Sequence, residues 1–90
     1  MDTYGLGSIV VSIAGRDKGK LLVIIGIVDE AFVLVADGDL RKVEKPKKKK
    51  LKHIKATGKC DTGLGDKLRK GIVVTNAEIK KILKLHEKEN

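Results

Sequence analysis

The hydrophobic positions of this chain fall into short runs that are rich in β-branched residues. Residues 8–13 (Ser-Ile-Val-Val-Ser-Ile) and 21–28 (Leu-Leu-Val-Ile-Ile-Gly-Ile-Val) are the first two. Val and Ile favour a pleated surface packed on a neighbour, and runs of this length predict strands. The second run is too short to cross a membrane and too β-branched to be a good helix. Between the two, Gly15 and Gly19 bracket Arg16-Asp17-Lys18, with Lys20 following. Glycine accepts positive φ, so this segment can turn sharply and present its charges outward. Asp29-Glu30 predicts a turn, residues 31–36 a third strand and Asp37-Gly38-Asp39 another turn. Residues 41–57 are a basic return holding the single proline, Pro46, which breaks regular structure and biases Lys45 to an extended form. Leu51, His53 and Lys55 alternate with Lys52, Ile54 and Ala56, which fits an edge strand. The pattern predicts a mainly β domain of four or five short antiparallel strands between residues 8 and 57.

The pattern then changes period. Residues 58–71 contain four glycines and read as a loop with one helical turn at 66–70, Gly63 and Gly65 serving as turn glycines. Thr75-Asn76-Ala77-Glu78 is a capping box, in which Thr75 and Glu78 can each satisfy the other's backbone N–H. A helix over 76–87 follows, with Ile79, Ile82, Leu83 and His86 on one face and Lys80, Lys81, Lys84 and Lys88 elsewhere. A helix of this length is marginal alone, so its apolar face is expected to dock on the strands, helped by Ile72, Val73 and Val74. His86 reads as a packed or half-exposed residue, not a ligand.

Composition narrows the chemistry. The aromatics are one Phe and one Tyr, with no Trp, so the core must be aliphatic and base stacking on aromatic platforms is nearly unavailable. Phe32 is expected in the core, and Tyr4 divides evenly between packing the first strand and touching a ligand. The net charge of +8 is unevenly spread: residues 1–40 carry −3, residues 41–59 carry +9 and residues 60–90 carry +2. Such concentration points to a polyanion. The candidate contacts are Arg16, Lys18, Gly19 and Lys20 in the glycine-bracketed loop, and Arg41, Lys42, Lys47, Lys48, Lys49, Lys50, Lys52 and Lys55 along the return. The run from Lys47 to Lys50 is expected to be flexible. It would also keep an edge strand soluble; its charge density favours the polyanion reading.

Enzymatic and metal sites find no support. Cys60 is the single cysteine, and with only His53 and His86 beside it no Cys-based zinc site or internal disulfide is expected. A reducing, cytoplasmic setting follows as the default, with no signal peptide or transmembrane helix expected. Residues 15–21 lack the spacing and the Ser or Thr of a phosphate-binding P-loop. No spacing builds a nucleophile with its base. The expectation is a protein that is not an enzyme, with no cofactor.

Residues 7–28 resemble a KOW motif, found in ribosomal proteins and in a family of transcription elongation factors. Gly15-Arg16-Asp17-Lys18-Gly19-Lys20 is similar to the loop of that motif, with Gly19 at its central glycine. With the turn, third strand and basic return that follow, residues 5–58 resemble the large-subunit ribosomal protein family of the fourteen-e type. The resemblance implies an SH3-like (KOW) barrel over residues 1–58 and does not extend past Gly58; residues 59–90 are expected from their own pattern to be a glycine-rich loop and C-terminal helix packed on the same domain. It implies binding to ribosomal RNA and a ribosomal or translation-associated role; ribosomal proteins are expected as further partners, and the protein is expected to be a monomer when free. The alternative it carries is a KOW protein-interaction module of the transcription or translation machinery. Its contact would be the aliphatic helix face and the acidic N-terminal half.

Overall fold

The β-branched runs form strands. β1 (Ser8–Ser12), β2 (Leu21–Ile27), β3 (Phe32–Ala36), β4 (Lys47–Lys50) and β5 (Ile54–Cys60) make one antiparallel sheet in the order β4-β3-β2-β1-β5. A 3-10 turn, Leu51–His53, joins β4 to β5. The computed structural model describes residues 5–88, the last by its backbone alone. Tyr4 lies outside the described residues. The fold is mainly β, a small barrel-like domain followed by a C-terminal helix.

β2 is apolar almost throughout because both of its faces are covered. Leu22 and Ile24 point into the barrel, where they meet Val10, Val33, Val35 and Ile54. Val23, between them, faces the other way and joins Ile9, Leu64, Val74, Ile79 and Leu83 in a second core. The sheet therefore separates two aliphatic cores, one inside the barrel and one beneath the helices. Each fully buried Val, Leu or Ile contributes about 1.5–3 kcal/mol, so the helix-side core is as much a part of the domain's cohesion as the barrel interior.

Two helices supply that second core, where the sequence predicts one. α1 (Thr62–Arg69) replaces the expected loop and single turn. Asp61 caps it by accepting the Leu64 N–H at 2.9 Å. Leu64 and Leu68 then reach the sheet four residues apart. Gly63 and Gly65 are inside this helix, not in turns. Glycine in a helix costs about 1 kcal/mol relative to alanine, and at Gly65 close packing offsets it. A Cβ there would stand 2.7 Å from the Leu6 carbonyl oxygen.

α2 (Asn76–Lys88) begins at the predicted capping box. The Glu78 N–H donates to Thr75 Oγ1 at 3.2 Å, and the Thr75 N–H donates to Glu78 Oε2 at 3.0 Å. Lys67 Nζ donates to Glu78 Oε1 at 2.6 Å, linking α1 to α2. That bond first, and the Thr75 backbone bond second, hold the Glu78 carboxyl below the usual range. Ile79 and Leu83 are buried, Ile82 is partly buried and His86 half-buried. The helix face docks on the sheet, as its spacing predicts.

The basic return departs most from expectation. Lys47–Lys50 is not a flexible run but the edge strand itself, paired Phe32↔Lys50, Val33↔Lys49, Leu34↔Lys48 and Val35↔Lys47. The edge strand expected around Leu51 and His53 is instead the 3-10 turn, and regular pairing resumes at Ile54. Phe32, expected in the core, belongs to neither cluster and is half-buried. Strand alternation explains it. Val33 and Val35 take the inward face of β3, which leaves Phe32 and Leu34 outward.

Candidate nucleic-acid interface

The β1–β2 loop is built to hold one shape. Ser12 N–H donates to the Lys20 carbonyl at 3.0 Å and Gly19 N–H to the Ser12 carbonyl at 2.8 Å, closing its neck. Gly15 and Gly19 have φ of 78° and 89°, the left-handed region that the sequence anticipates. A Cβ on Gly19 would meet nothing within 4 Å. Gly19→Val is therefore expected to destabilise through backbone strain alone, by about 1–3 kcal/mol. A urea melt indistinguishable from wild type would contradict this.

Two cations from the basic return anchor the loop. Asp17, at the loop's centre, is only 3% exposed and accepts from Arg41 Nε at 3.2 Å, with Arg41 Nη2 also at 3.2 Å. Lys49 is 7% exposed, and its Nζ donates to the Ala14 carbonyl at 3.1 Å. Arg41 and Lys49 thus direct their charge into the protein. With Asp17 held inward, Arg16 and Lys18 are left exposed on the tip.

Eight of the twelve candidates are exposed side chains: Arg16, Lys18, Lys42, Lys47, Lys48, Lys50, Lys52 and Lys55. They do not form one patch. Lys47, Lys48, Lys49 and Lys50 line a shallow hollow with Ala14, Gly15, Phe32 and His53, so strand and loop meet there. Lys50 and Lys52 flank an adjoining hollow over Ala31, Phe32 and Leu51. Lys20 lies on the opposite flank of the loop, in a groove of mixed charge with Asp37, Asp39, Lys80, Lys84 and Glu87. Lys42 stands near Glu44, whose carboxyl is lowered chiefly by the hydrogen bond from Asn76 and least by Lys42. Lys55 sits on β5 opposite Val11.

Phe32 and His53 enter this surface although the charge pattern did not single them out. The available signal was strand parity, since Phe32 and Leu34 must face opposite to Val33 and Val35. In an all-apolar strand that parity does not reveal which face is buried. A scan against models of known protein families finds no match. Among the described residues, no helix is long and apolar enough to cross a membrane.

Proposed function

We propose that this domain binds RNA, with ribosomal RNA as the partner, and serves the ribosome or translation. The observation that carries the reading is an edge strand of four lysines set beside a pinned, glycine-bracketed loop whose Arg16 and Lys18 face outward. Dense cationic charge on a nearly flat surface suits a phosphate backbone, which needs no deep pocket. The KOW-like loop sequence points the same way. Contacts of this kind fix register and orientation more than base identity. The rival protein-interaction reading loses one of its two surfaces, because Ile79 and Leu83 of α2 are 0% and 6% exposed. The expected result is co-sedimentation with ribosomes that nuclease treatment abolishes. Co-sedimentation that survives nuclease favours a protein contact, and none at all removes the ribosome as the partner.

A further inference from the structure

Phe32 stands on the outer face of the β3–β4 ladder, with Lys50 directly across from it and Lys48 two pairs along, on the same face. The exposed Lys48 sets its Nζ 4.6 Å from the ring centroid. The ring borders both hollows of the basic surface. One of these has a floor of Ala31, Phe32 and Leu51 and a rim of Lys50 and Lys52, and neither is lined by an acidic side chain. An apolar, aromatic floor inside a cationic rim matches a neutral planar ring whose neighbours carry negative charge. A nucleobase between two phosphates has that pattern.

We infer that Phe32 is a stacking site for one unpaired base, so that the RNA this surface prefers carries a bulge or single-stranded nucleotide. The inference rests on the RNA reading above and adds the kind of RNA. Bases in a fully paired A-form helix keep their faces stacked inside, and only an unpaired base can be laid on a ring. Lys48 and Lys50 are about 7 Å apart along the strand, close to the step between phosphates of an extended chain; Phe32 lies across from Lys50, and Lys48 reaches back over its ring. Lys48 is an exposed, flexible side chain on the ring's face. An incoming base displaces its tip toward a flanking phosphate, trading one cation contact for an ion pair.

The test is fluorescence anisotropy at low salt with three end-labelled RNA hairpins, one fully paired, one with a single-nucleotide bulge and one with an abasic bulge. Wild type is expected to bind the bulged hairpin about tenfold tighter than the paired one, within the range found for a single stacked base. The abasic bulge should lose that advantage with the protein untouched, and Phe32→Leu should lose it with the RNA untouched. Equal binding of all three hairpins by wild type overturns the stacking site and leaves the phosphate reading standing. Failure of wild type to bind any of the three overturns both.

Discussion

Replacing Lys47, Lys48 and Lys50 by Gln is expected to flatten the salt dependence of RNA binding and to weaken all RNAs by similar factors. Each lost phosphate contact removes about 0.7–0.9 from the log–log slope, so three contacts remove roughly 2–3. These three lysines are exposed, whereas Lys49 holds the Ala14 carbonyl, so Lys49 is left in place to spare the fold. Replacing Arg16 and Lys18 should act differently. The Asp17–Arg41 pair and the Lys49 bond fix where the loop places its charge. Loss of that charge should therefore alter the choice among structured RNAs more than the slope. Titration of a ribosomal RNA fragment at several salt concentrations separates the two. An unchanged slope in the triple variant excludes β4 from the binding site. Aggregation with unchanged affinity would assign its lysines to solubility.

A large loss of stability is expected from Gly7→Val. Gly7 has a φ of 87°, and a Cβ there would lie 2.6 Å from the Asp61 carbonyl oxygen and 3.0 Å from the Gly65 nitrogen. Its own N–H donates to the Ile24 carbonyl and its carbonyl accepts from Asp61 N–H, at 2.9 and 3.0 Å. The chain cannot move away without breaking these bonds. Backbone strain of about 1–3 kcal/mol and overpacking of a similar size add to about 2–6 kcal/mol. That is a large share of the roughly 5–15 kcal/mol by which domains are stable. Gly19→Val, with the same strain and open space around it, is the matched control. Equal urea midpoints for the two variants would falsify the claim that α1 is seated on Gly7.

Most of the barrel was legible because its signals are local. β-branched runs, the loop glycines, the Asp turns and the Thr75–Glu78 capping box each specify their own neighbourhood, and all four appear where they were expected. α1 was obscured by Gly63 and Gly65, both poor helix formers; the presence of Gly65 makes sense only once Leu6 and Gly7 lie against it. Asp61 three residues before Leu64, with Leu68 one turn on, was the available hint. Phe32 was misplaced because an apolar strand carries no contrast between its faces. The two loop anchors were hidden among many cations. Nothing in a row of lysines tells which one turns inward.

The uniformity of β4 has a consequence for strand register. In most strands a slip by one residue carries the wrong side chains to the wrong face. Here a slip would exchange one lysine for another, leaving an ammonium still available to Ala14 and lysines still outward. The displayed charge is thus degenerate with respect to alignment, and pairing must be fixed from outside the run. Leu51 does this from the C-terminal end, donating its N–H to the Ala31 carbonyl at 2.8 Å and packing against the barrel core. Pro46 bounds the other end. A cationic edge made this way keeps its electrostatic character through small alignment errors, while its position on the sheet is set by a single apolar neighbour.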